Sequence, residues 1–259
     1  MLTLDKIEQN YPENLRPFKK NILREYLQYK ILEIIFNSRI ALKLSFLGGT
    51  ALRILYDNAR FSEDLDFDNF GMTKQDFSFL SDEIKNGLQG QGYIVEIKNV
   101  FKGAYRCNIR LPKILFDNKL SNLQEEKILI QVDTAPHNFS YTPDKKMLNK
   151  FDVFTQILAT PRDILLSQKI YAVFNRKRAK GRDFFDIVFL LSQTKPNYDY
   201  LQKKLNISNE KELKKQLLSK IKVFDFNNLV KDVEVFLFNP KDSKKIKMFV
   251  EFFKQAELG

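Results

Sequence analysis

Asp64 and Asp66 stand two apart in Ser62-Glu63-Asp64-Leu65-Asp66-Phe67-Asp68, a run that alternates polar and apolar residues as a β-strand does. On a strand, that spacing projects both carboxylates from one face, close enough to repel. A divalent cation offsets the repulsion most simply, and hard oxygen ligands suit Mg²⁺ or Mn²⁺. Asp68 continues the same face farther along, while Leu65 and Phe67 turn to the core and set the register. Asp-x-Asp is also common on the solvated face of an edge strand, so the preceding segment matters. There Gly48-Gly49-Thr50 leads into a helix of about two turns, followed by Arg60-Phe61-Ser62. Glycines let backbone amides approach a phosphate, and Thr50 adds a hydroxyl and reads as the N-cap of the helix Ala51 to Asn58. The positive end of that helix dipole then lies where the terminal phosphates of a nucleotide would sit, with the aspartates holding the bridging metal.

The runs Gly48-Gly49-Thr50-Ala51-Leu52 and Arg60-Phe61-Ser62-Glu63-Asp64-Leu65-Asp66-Phe67 resemble the signature of the AbiEii/AbiGii-type nucleotidyltransferase toxins, of the polymerase-β-like nucleotidyltransferase superfamily. Gln168-Lys169-Ile170-Tyr171-Ala172 and Lys180-Gly181-Arg182-Asp183-Phe184-Phe185-Asp186-Ile187 are similar to that family's later lysine motif and its Arg-Asp-x-x-Asp motif. The resemblance spans about residues 46–190 and leaves the C-terminal third without a motif.

The resemblance implies transfer of a nucleoside monophosphate from an NTP to an acceptor, with pyrophosphate leaving. Asp64 and Asp66 would hold Mg²⁺ (or Mn²⁺), with Gly48, Gly49, Thr50, Arg60 and Ser62 at the nucleotide. A third carboxylate is expected on a neighbouring strand, as a further metal ligand or as the acceptor of the attacking hydroxyl's proton, and Asp133 is the best candidate. Lys169 serves as a phosphate-binding point charge. Arg182 belongs to the basic segment Arg176 to Arg182, which fits a triphosphate or a nucleic-acid backbone. Asp183 and Asp186 share a helix face; one orients Lys169 or an arginine and the other caps the helix, with Asp183 favoured for the site.

The elements that position these residues read coarsely as follows. Apolar spacing predicts a helix or helix pair from Asn14 to Asn37, Leu44 to Leu47 reads as a buried strand, and a helix follows Gly71 to about Gln89. Tyr93 to Val100 and Tyr105 to Leu111 read as a hairpin around Lys102-Gly103, and Lys127 to Asp133 as another strand. Beyond Pro161 the segments Ile164–Phe174, Phe184–Leu191, Leu213–Val223 and Ile246–Phe253 read as helices, with strand signal only around Val233 to Phe238. The expected fold is α+β: a polymerase-β-like nucleotidyltransferase lobe with a mixed sheet, residues 1–155, and a helical lobe, residues 156–259.

The 259 residues are 44% hydrophobic and 29% charged, with 9 Gly and 8 Pro, which excludes disordered and collagen-like classes. The 24 phenylalanines, at helical spacing in Phe249, Phe252 and Phe253, read as core. His137 is the only histidine and Cys107 the only cysteine, which argues against a histidine zinc site, a His-dependent triad or a disulfide framework. No apolar signal core opens the chain, and no apolar run reaches the roughly 18 residues of a membrane span, so a cytoplasmic protein without a membrane partner is expected. The net charge of +11 attracts polyanions. It tilts the acceptor towards RNA, tRNA above all, rather than the small molecule of an antibiotic-type transferase, while the intact Asp64–Asp66 pair and Gly-Gly-Thr turn argue against an inactive nucleotide- or RNA-binding module. The resemblance adds a toxin–antitoxin or phage-defence role and a cognate antitoxin partner.

Overall fold

The chain opens with α1 (Leu4–Glu8) and α2 (Lys19–Phe36) in the computed structural model, which describes residues 2–259. Ile22, Tyr26, Leu27, Ile31, Leu32 and Ile35 are wholly buried along α2. Three of its polar residues, Glu25, Gln28 and Lys30, are buried too, and each has a partner. Glu25 accepts from the Tyr11 hydroxyl at 2.8 Å, and Lys30 Nζ pairs with Glu33 at 2.9 Å. Gln28 Nε2 donates to the carbonyls of Ser62 and Glu63 at 3.0 and 2.9 Å.

There follow β1 (Leu44–Leu47), α3 (Gly48–Tyr56), β2 (Leu65–Asn69), α4 (Lys74–Gly90), β3 (Glu96–Lys102), β4 (Ala104–Leu111), α5 (Ile114–Asp117), β5 (Ile128–Ala135), β6 (Asp144–Lys150) and β7 (Val153–Ala159). The residues fall into two compact units, Met1–Ala51 with Phe61–Ala159, and Leu52–Arg60 with Thr160–Gly259. This partition differs from a single cut at 155, since the second unit also takes Leu52–Arg60.

In the first unit the seven strands form one mixed sheet in the order β3-β4-β5-β2-β1-β7-β6. β1 is antiparallel to β2 and parallel to β7, and β2 is parallel to β5. Phe46 and Phe67 pack at 5.4 Å between ring centres on the core side of the central strands. α4 begins with a capping box between Thr73 and Asp76. The hairpin β6–β7 was not expected from the sequence. Leu148 is the one buried residue of β6, a lysine-bearing strand at the sheet's edge, so its pattern carries little strand signal.

The second unit is helical: α6 (Arg162–Asn175), α7 (Gly181–Leu191), α8 (Tyr198–Leu205), α9 (Glu210–Ile221), α10 (Phe226–Glu234), α11 (Lys244–Lys247) and α12 (Phe249–Gln255). Two expectations are corrected here. Residues 233–238 are not a strand: α10 runs to Glu234, and Leu237 makes only an isolated bridge with Arg60. Val230, Val233 and Leu237 fit a helical spacing as well as Val233, Val235 and Leu237 fit an alternating one. Residues 246–253 are not one helix but two, broken at Met248. Gly181 permits the close approach of α7 and α10, because a Cβ there would overlap the Leu229 carbonyl oxygen. Phe184, Phe249 and Phe253 are wholly buried, with Phe184 edge-on to Phe249 at 4.8 Å, so the phenylalanine-rich C-terminal stretch is core.

Candidate active site

In the first unit, the end of β1 and the start of β2 meet. Leu47 is registered with Asp66, so the next residue, Gly48, lies against the aspartate. A Cβ built on Gly48 would sit 3.0 Å from Asp66 Cβ and overlap Asp66 Oδ2. Gly48 also has φ +82°, a backbone conformation that costs a residue with a Cβ about 1–2 kcal/mol. The glycine therefore serves a steric and a conformational need at once.

Thr50 is wholly buried and its hydroxyl donates to the Asp64 carbonyl. This corrects its expected role as N-cap: α3 already starts at Gly48, so Thr50 lies within its first turn. The hydroxyl is spent on stitching the glycine turn to the acidic segment. From the other side, Gln28 on α2 holds the carbonyls of Ser62 and Glu63. Turn and acidic segment are thus neighbours, joined by the β1–β2 pairing and by the Thr50 side chain.

Asp64, Asp66 and Asp133 are all partly exposed. Asp66 and Asp133 are register partners on the parallel pair β2 and β5, which puts their side chains on one face at adjacent-strand spacing. Asp68 is different in kind. It is buried, and Oδ1 accepts the backbone N–H groups of Asn69 and His137, each at 2.8 Å. Asp68 thereby anchors the chain leaving β5, and the loop residue His137 meets it through its main chain.

Sequence reasoning missed Arg106. It faces Asp133 across β4 and β5 and donates from Nε and Nη2 to the two carboxylate oxygens at 2.7 and 2.8 Å. The guanidinium's pKa is raised, chiefly by that hydrogen bond and the Asp133 charge, with Asp64 and Asp66 adding smaller contributions. Arg106 is therefore a counter-ion to the whole acidic patch. The polar alternation Arg106, Asn108, Arg110 was its only signal in the sequence. Among the described residues no group of three or more His, Cys, Asp or Glu side chains is gathered as a metal cage. The donor chemistry of Asp64 and Asp66 suits a hard divalent cation, with Asp133 beside them.

The second unit holds the remaining predicted residues. Asp186 is fully buried and receives Arg60 in a two-pronged contact, Nε to Oδ1 at 2.8 Å and Nη2 to Oδ2 at 2.7 Å. Asn58 Nδ2 donates to it at 2.8 Å, and Lys169 Nζ lies 2.8 Å from Oδ2. Burial pushes the Asp186 carboxyl up, but the charges of Arg60 and Lys169 outweigh this and hold it down at about 2. Asp183 pairs with Lys169 at 3.4 Å and with Arg176 at 2.8 Å.

Arg60, expected at the nucleotide, is 1% exposed with its guanidinium taken up by Asp186, so the structure assigns it to this internal network. Both aspartates orient Lys169, and neither caps α7. The Gly181 N–H at the start of that helix is received by Asp232 at 3.0 Å. Arg182 is partly exposed, its guanidinium 5.1 Å from the centre of the Phe236 ring.

This fold is that of the nucleotidyltransferases. JHP933 from Helicobacter pylori superposes with a TM-score of 0.53 at 18% identity, over 90% of this chain and 91% of its own. A structure from H. pylori provisionally assigned as a nucleotidyltransferase gives 0.53 at 19%, over 92% and 98%. No curated protein sequence matches the chain. Residues 30–257 match the family model described as nucleotidyl transferase AbiEii toxin, type IV toxin–antitoxin system, and the chain belongs to that family. It is a nucleotidyltransferase of a toxin family. Among the described residues no helix is long and apolar enough to cross a membrane.

Proposed function

We propose that this nucleotidyltransferase moves a nucleoside monophosphate from an NTP to an RNA acceptor, a tRNA end being the leading case. In this reading it acts in the cytoplasm as the toxin of a toxin–antitoxin or phage-defence pair, restrained by a cognate antitoxin. The observation that carries the reading is the close approach of Gly48 to Asp66, which leaves a helix N-terminus free of side-chain bulk beside that carboxylate. The backbone N–H groups at Gly48 and Gly49 receive phosphate oxygens, and Thr50 keeps them in place by tying the turn to Asp64. Asp64 and Asp66 would hold Mg²⁺ or Mn²⁺, whose charge would offset that of the triphosphate and of the pyrophosphate it releases. Asp133 receives the proton of the attacking hydroxyl, a role that requires at least one of its oxygens to leave Arg106. The resemblance implies Lys169 and Arg182 at the nucleotide, and both Asp183 and Asp186 position Lys169.

Charge supports an RNA acceptor. Of the 43 basic and 32 acidic residues, the second unit holds 23 and 13 and the first 20 and 19, so +10 of the net +11 lies in the helical unit. A small acceptor needs no such field, whereas a polynucleotide backbone does. The test is incubation with each labelled NTP, Mg²⁺ and total tRNA. Label is expected on RNA with wild type and absent with Asp66→Ala; label on no acceptor, or equal label with both proteins, removes the proposal.

A further inference from the structure

The second unit carries an open groove of about 580 Å³, within the size range of sites that hold small organic ligands. Val223, Phe224 and Leu229 supply apolar surface to it, and Arg178 and Lys231 supply positive charge. Val223 is 83% exposed and lines the same groove as the two cations. Phe224 rests edge-on against Phe184 at 6.1 Å and stays partly exposed.

Two carboxylates also line the groove, and both are committed elsewhere. Asp225 Oδ1 caps α10 by accepting the N–H groups of Asn227 and Asn228 at 2.9 and 3.3 Å, while Oδ2 accepts from Asn228 Nδ2 at 2.7 Å. Asp232 accepts the Gly181 N–H at 3.0 Å and pairs with Lys180 at 3.5 Å. Arg178 and Lys231 are exposed and have no ion-pair or hydrogen-bond partner among the described residues. The groove thus offers two uncommitted cations next to an apolar, partly aromatic surface, in the unit that bears nearly all the net charge.

We infer that this groove takes an unpaired nucleotide of an RNA strand, its base against Val223 and Phe224 and its flanking phosphates on Arg178 and Lys231. The inference rests on the transferase reading for the idea that this RNA is the acceptor. An acidic protein segment would satisfy the cations but would leave the aromatic surface without a planar partner, whereas every base has a face to lay on it.

The test is fluorescence anisotropy of the full chain with a labelled 12-nucleotide single-stranded RNA, an abasic strand of the same length, and polyglutamate. The pair Arg178→Ala with Lys231→Ala should weaken RNA binding about tenfold at moderate salt. It should also make the plot of log affinity against log salt shallower by about 0.7 for each cation removed. Val223→Asp, at an exposed position that the fold does not need, should weaken the base-bearing strand more than the abasic one. Unchanged RNA affinity in these variants, or equal losses for the two strands, overturns the inference. Polyglutamate that binds as tightly as RNA and shows the same losses overturns it too, by identifying an acidic protein segment as the occupant. Binding is read without NTP, so a protein that transfers no label yet shows these losses keeps the groove and discards only the transferase reading.

Discussion

Arg106 and Asp133 meet across β4 and β5 in a two-pronged ion pair, 2.7 and 2.8 Å long, one strand away from Asp66. The guanidinium does electrostatic work that a cation would otherwise do at the acidic patch. Replacing Arg106 with Gln should therefore tighten binding of Mn²⁺, measured by calorimetry, because three carboxylates lose their resident positive charge. The pair is exposed enough that thermal stability should change by about 1 kcal/mol or less. Weaker Mn²⁺ binding in the variant would show that Arg106 shapes the site rather than competing for it.

Gly48→Ala should lower both stability and transfer. The left-handed backbone costs about 1–2 kcal/mol once a Cβ is present, and overlap with Asp66 Oδ2 must displace the carboxylate or the turn. Denaturant unfolding and label transfer measure the two effects. Wild-type transfer in the alanine variant would break the link between the turn and the acidic strand.

Asp186→Asn leaves Arg60 buried without its anionic partner, a change that typically costs about 3–5 kcal/mol. Lys169→Met, removing the more exposed partner, should cost less, because Asp186 keeps Arg60 and Asn58. Unfolding midpoints for the two variants rank these costs, and the reverse ranking would contradict the network as described.

Acid should act through the same carboxylate. Asp186 titrates at about 2 in the folded protein against about 3.9 in an unfolded chain. A depressed pKa means stability that is fully present above the unfolded value and is lost as pH falls from about 4 towards 2, about 2–3 kcal/mol in all. The difference in stability between wild type and Asp186→Asn should shrink over that window. A difference independent of pH would show that Asp186 is not an ionised partner.

Gly181→Ala should loosen α7 from α10, since the new methyl would overlap a backbone oxygen that no rotamer change can move. Faster amide exchange across Phe226–Glu234 is the expected sign, with exchange in the first unit's sheet unchanged.

Local signals read well where they were self-contained. The buried run Leu44–Leu47 punctuated by glycines and the hairpin about Gly103 needed no distant partner to be recognised. The acidic strand was found from its alternation from Leu65 on, whereas Ser62, Glu63 and Asp64, read as part of it, precede β2. What escaped depended on pairing. Arg106 acquires meaning only through a register that brings together residues 27 apart, and β6 is a strand only because β7 offers it an edge. Arg60 was drawn to the nucleotide by its nearness to Asp64 along the chain, whereas its partner Asp186 lies 126 residues away. Thr50 looked like a cap because its carbonyl acceptor, Asp64, cannot be inferred from residue types.

β1, which delivers Gly48, is flanked in the sheet by β2 on one side and by β7 on the other. The ribosome makes β7 more than a hundred residues after β1. A growing or prematurely ended chain that stops before Val153 has every residue from Gly48 to Asp133 yet leaves β1 at an open border, with the turn at Gly48 supported from one flank. Synthesis itself therefore delays the fully flanked β1 until well over half the polypeptide has emerged.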